Sequence, residues 1–195
     1  MKHSLRDLLN ESVVTILFGI MGSVMIGASL AGWAILDWTS PAFQYLVDGA
    51  AAAILFVVWK QRGFWEGTTY ALSFALFCAI PQREFSFLPV FINKSVFFVF
   101  ACCSYQILWK IAGPRIRPFR FVLLGVLFAL FELVATPLQA IFFGTHDVVI
   151  ATSMNTILWG TLGLGVGSGI EIAETLYHYH LLDRKNNVHH SSTQR

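Results

Sequence analysis

The stretch Leu88–Ala112, LPVFINKSVFFVFACCSYQILWKIA, constrains the fold more than any other part of the chain. A helix needs about twenty apolar residues to cross roughly 30 Å of hydrocarbon, and this run is long enough. It also carries Lys94 in its first third. An ionised side chain inside a membrane span is costly unless it reaches water, a headgroup or a partner. Three readings of Lys94 are open: it snorkels to the outer interface, it pairs with Asp48 or Glu132, or it contacts an anionic solute. Asp37 and Asp147 are further acids that a pairing lysine can reach.

Composition extends the same reading to the whole chain. The 195 residues suit one domain, 56% of them are hydrophobic and only 12% charged, against about 25% charged in ordinary soluble domains. Six apolar runs follow one another, at about 12–36, 41–59, 64–80, 88–109, 119–143 and 148–170. The first is too long for the apolar core of a secretory signal, which spans about 7–15 residues. The expected fold class is an all-α integral membrane protein: one six-helix bundle over residues 1–182, then a polar, disordered cytoplasmic tail over 183–195.

Orientation follows from the basic residues, which favour the cytoplasmic side. Eleven of the thirteen Lys and Arg fall at the two termini, in the Lys60–Gly63 turn and in the Lys110–Arg120 loop. Both termini are therefore expected in the cytoplasm of a multi-pass plasma-membrane protein. A rise of about 1.5 Å per residue then places Lys94, Asp48 and Asn155 about 9–12 Å below the outer boundary. Glu132 lies deeper, near the midplane, while Trp38 and Asp147 belong to the outer rim. Polar groups in a bundle face its interior or a water-filled cavity. The expected site is thus a pocket open to the outside, built from Lys94, Asn93, Asp48, Asn155, Glu132 and Trp38. Tyr45, Phe91, Gln139 and Trp159 are candidates for stacking and hydrogen bonding around it.

Other chemistry has little support. No HExxH, G-x-S-x-G or GxxxxGK[ST] motif occurs, so neither an enzyme nor a nucleotide-binding protein is expected. The glycines at 160, 163, 165, 167 and 169 lie within an apolar run and point to close helix packing or a hinge. Cys78, Cys102 and Cys103 read as small packed side chains, and no cofactor, metal or nucleic-acid partner is expected.

Several local features resemble the substrate-binding S components of energy-coupling factor transporters. They are GASLAG at Gly27–Gly32, KQRGFWEG at Lys60–Gly67, FINKS at Phe91–Ser95 and MNTILWGTLG at Met154–Gly163. The resemblance implies six helices with both termini in the cytoplasm and a pocket open to the outside. It implies that Gly27, Ala28, Ala31 and Gly32 dock a transmembrane coupling protein linked to cytoplasmic ATPases, with Lys94 and Asn155 in the pocket. The third run lacks the glycines expected after such a turn. The resulting expectation is a membrane solute-binding protein for uptake of a small, vitamin-like or anionic metabolite together with partner subunits. Two alternatives remain: a structural or sensory membrane module without transported ligand, and a self-contained ion-coupled carrier resting on Glu132.

Overall fold

A computed structural model describes residues 5–29, 41–79, 87–143 and 148–192. Six α-helices form where the six apolar runs lie, and no strand occurs among the described residues. Helix α1 spans Leu5–Gly22 and continues as a π-helical segment, Ser23–Ala28. Helix α2 is Pro41–Arg62 and α3 is Phe64–Ala79. Helix α4, Phe87–Tyr105, runs into a second π segment, Gln106–Ile111. A 3-10 turn over Pro114–Phe119 leads to α5, Arg120–Phe143, and α6 covers Val148–Ser192.

Local chemistry explains the boundaries. Pro41 opens α2, where the missing N–H is not needed and the fixed φ suits a helix. Gly63 ends it at φ +96°, a left-handed conformation that glycine adopts without strain, and its N–H donates to the Trp59 carbonyl at 2.9 Å. Pro137 lies inside α5 and leaves the carbonyl one turn earlier without its usual donor. Helix α6 extends to Ser192. Asp183, where the expected tail begins, lies within this helix, and no proline or glycine follows Gly169 to stop propagation.

Among the described residues, three helical stretches are long and apolar enough to cross a membrane: Leu88–Ile111, Arg115–Ile141 and Thr152–Tyr179. Asn10–Ile26 is a shorter apolar helix. Their outward faces are apolar too. Val13, Leu17 and Met21 of α1 and Val126, Leu130, Leu133 and Ile141 of α5 are all exposed. A helix apolar on every side suits lipid rather than water.

Lipid tails are as apolar as leucine, so burial alone does not bring such helices together; close backbone packing does. The glycines of α6 serve that purpose on two faces. A Cβ at Gly165 would lie 2.5 Å from the Gly22 carbonyl oxygen of α1, and one at Gly169 would overlap the Phe18 carbonyl. On the other face a Cβ at Gly163 would meet Phe128 at 2.7 Å and the Leu124 carbonyl at 2.9 Å. Helix α6 is thereby clamped between α1 and α5, while α2 packs against α1, α3, α4 and α6. The core between them is aromatic: Phe97 lies 4.8 Å from Phe128 and 3.9 Å from Trp159, centroid to centroid.

Candidate functional site

Asp48, Lys94 and Asn155 share a register. Each lies seven residues after the first residue of its helix, Pro41, Phe87 and Val148, and Thr136 lies seven before Phe143, the end of α5. At about 1.5 Å per residue, all four fall about 10 Å inside one end of the bundle. The structure joins them in pairs. Lys94 Nζ donates to Asp48 Oδ2 at 2.5 Å, and Asn155 Nδ2 donates to Thr136 Oγ1 at 3.2 Å.

The Lys94–Asp48 pair is enclosed, with Lys94 4% and Asp48 1% exposed. The Lys94 ammonium sits 4.2 Å from the centroid of the Trp159 ring. That ring face is electron-rich and adds a second favourable contact for the cation. Lys94 therefore reaches across to α2 rather than out to the interface. Neither residue of the pair stands on the open wall expected from their depth. Trp159, one turn below Asn155 on α6, closes over the ammonium.

One turn deeper, Glu132 is fully buried. Its Oε2 accepts from Thr136 Oγ1 at 2.8 Å, while its Oε1 is buried without a hydrogen-bond partner. Lys94 and Asp48 are the charges that act on it. The chain Asn155–Thr136–Glu132 thus runs beside the Lys94–Asp48 pair. Nearer the helix ends, Asn93 Nδ2 donates to Gln139 Oε1 at 3.0 Å, and Gln139 Nε2 donates to the Pro89 carbonyl at 3.4 Å. Glu132, Thr136 and Gln139 follow a 4-then-3 spacing along α5, which puts them on one helix face. Tyr45 belongs to the α2–α6 contact: its hydroxyl is 2.6 Å from Thr161 Oγ1 and donates to the Leu158 carbonyl at 3.2 Å.

Of the residues expected at the site, Lys94, Asp48, Asn93, Asn155 and Glu132 therefore occupy one polar layer fed by four helices. Trp38, Asp37 and Asp147 lie outside the described residues. So do Ala31 and Gly32 of the expected docking motif, while Gly27 and Ala28 belong to the π segment after α1. The small residues at the junction of α1 and that segment are used within the bundle. Gly22 approaches Gly165, and Ser23 Oγ donates to the Tyr45 carbonyl at 2.9 Å.

A second polar centre forms at the opposite end. Lys60 Nζ bonds Glu11 Oε1 at 2.9 Å and Glu174 Oε1 at 2.7 Å. Glu174 Oε2 accepts from Trp109 Nε1 at 3.3 Å and lies 3.8 Å from Arg120 Nη1. Arg120 in turn lies over the Trp109 ring at 5.4 Å. A cleft of about 200 Å³ adjoins these groups, lined by Glu11, Lys60, Arg117, Glu174, Tyr177 and His178. Partial burial works against the charge on Lys60, but the carboxylates of Glu174 and Glu11 outweigh it and raise its pKa above the ordinary 10.5. Counting charges by loop shows only that these groups share a side. The signal that they meet is their common level at the ends of α1, α2, α5 and the middle of α6. No protein-family model, curated protein or solved structure matches the chain.

Proposed function

We propose that the chain is a six-span plasma-membrane protein, with both termini in the cytoplasm, that binds a small polar metabolite for uptake and works with partner subunits. The observation that carries this reading is the polar layer: Lys94, Asp48, Glu132, Thr136 and Asn155 drawn from four helices into an otherwise apolar, aromatic core. Ionisable groups inside a membrane bundle are expensive, and they are the default place to look for a solute or ion path. A bundle that needed only stability would do as well with hydrocarbon side chains at these positions.

The layer also sharpens the chemistry of the solute. Lys94 is already matched by Asp48, so a simple anion gains little there. At this end of the bundle the buried polar atoms without a partner among the described residues are Glu132 Oε1, Asn93 Oδ1 and Thr156 Oγ1, all oxygens. A solute carrying N–H or O–H groups, as heterocyclic micronutrients do, fits that demand better than one carrying charge alone. Partner subunits enter because the sequence has no nucleotide-binding motif, and the S-component resemblance supplies their kind.

Native mass spectrometry of the detergent-purified protein tests the proposal, since it reports bound small molecules and membrane partners together. The expected result is a copurifying metabolite whose occupancy falls in Asn155→Ala. Protein that carries neither solute nor partner, before and after incubation with cell extract, rejects the reading.

A further inference from the structure

Three ionisable side chains meet in the polar layer, and only one of them is a base. Lys94 is held by Asp48 at 2.5 Å, while Glu132, bonded to Thr136, is fully buried with Oε1 unpartnered and feels the charges of both. With both acids ionised the group carries one net negative charge among three side chains that are almost fully buried. An uncompensated buried charge is strongly unfavourable. One proton makes the set neutral. Asp48 spends its charge on the direct contact with Lys94, which leaves Glu132 to carry that proton. A proton on Oε1 has no acceptor facing it, so the carboxyl is not locked in the neutral form either. Each protonation state leaves one need unmet.

We propose that Glu132 is an exchangeable proton-binding site whose occupancy decides whether Lys94 stays on Asp48. The chemical step is small: the O–H bond of the Glu132 carboxylic acid breaks, the proton passes to water, and a carboxylate remains. The lysine keeps all its protons. The new carboxylate then competes with Asp48 for the same ammonium, and any shift of Lys94 changes its stacking on Trp159. The groups that bear on Glu132 among the described residues are Lys94 from α4 and Asp48 from α2 as charges. Thr136 on its own helix and Asn155 on α6 are the neutral members of its hydrogen-bond chain. The proton site rests on this geometry and does not require the solute proposed above.

Infrared difference spectroscopy on the full chain in lipid vesicles, stepped through pH, tests the idea. The expected result is a protonated-carboxyl band near neutral pH that shifts in protein labelled with [13C]glutamate but not with [13C]aspartate, disappears as pH rises, and is lost in Glu132→Gln. Tryptophan emission is expected to change over the same pH range in the wild type and to stop changing in Trp159→Phe. No glutamate-derived band, or a band whose titration leaves Trp159 emission unmoved, overturns the proposal. Should Glu132→Gln fail to fold, the isotope-labelled wild type and the Trp159 control decide the matter by themselves. A solute-free result in mass spectrometry leaves these spectra unaffected, so the two proposals fail separately.

Discussion

Lys94 and Lys60 lie toward opposite ends of the bundle, and both bond carboxylates from other helices. Lys94 has one acid and a side chain 5% exposed; Lys60 has two and a side chain 39% exposed. The Lys60 centre can exchange its protein contacts for water if one partner is lost. The Lys94 centre has much less access to water, because Trp159 and the aromatic core enclose it. Geometry is thus similar at the two ends while the consequence of breaking it differs. The contrast separates a fastening between helix ends from a site at which charge has to be handled.

The largest effect is expected from Asp48→Ala or Lys94→Ala. Either removes one partner of the buried contact, for which a loss of about 3–5 kcal/mol is typical. Unfolding in detergent, followed by denaturant titration, measures it. The double replacement Lys94→Met with Asp48→Leu removes both charges and is expected to recover most of that stability while abolishing binding of the proposed solute. A double variant that remains as unstable as the singles would mean that the pair holds the fold, not a site.

Thr136→Val comes next. It removes the donor to Glu132 Oε2 and the acceptor for Asn155, and leaving buried polar groups unsatisfied costs about 1–3 kcal/mol. The same unfolding assay reads it, with Thr136→Ser expected to restore most of the loss.

Lys60→Ala is expected to cost only about 0–1 kcal/mol, as partly exposed ion pairs do, and less still at high salt. An effect of the Asp48→Ala size would erase the distinction between the two ends. The smallest effect is on pH dependence. The pKa of Lys60 is raised in the folded protein, so its contribution is fully present below the unfolded lysine value and fades as pH rises through the folded one. Wild type and Lys60→Ala should therefore show parallel stability from neutral pH to about 10 and converge only above the ordinary lysine range.

The polar layer was partly legible because helix rise is regular. Counting from the starts of the apolar runs puts Asp48, Lys94 and Asn155 at a similar depth before any contact is known, whereas Thr136 joins that level only in the structure. Depth does not give azimuth. The Lys94 bond to Asp48, with Glu132 held instead by Thr136, depends on how α2, α4 and α5 are rotated about their axes. The hydrophobic pattern of a helix apolar on all sides carries little information on that rotation. The Lys60–Glu11–Glu174 centre was illegible for the same reason, its members being 49 and 114 residues apart in sequence.

Sequence alone determined that the chain is helical, apolar and punctuated into six segments, because run length, proline, glycine and charge act locally. It also marked Asp48, Lys94 and Glu132 as ionisable residues inside apolar runs. Tertiary structure decided the partners. It turned the α6 glycines into two close helix contacts, put Trp159 over Lys94, and enclosed a pair that depth alone would have left facing open space. Those outcomes depend on helix rotation and on approaches of a few ångströms between backbones, which only the packed bundle sets.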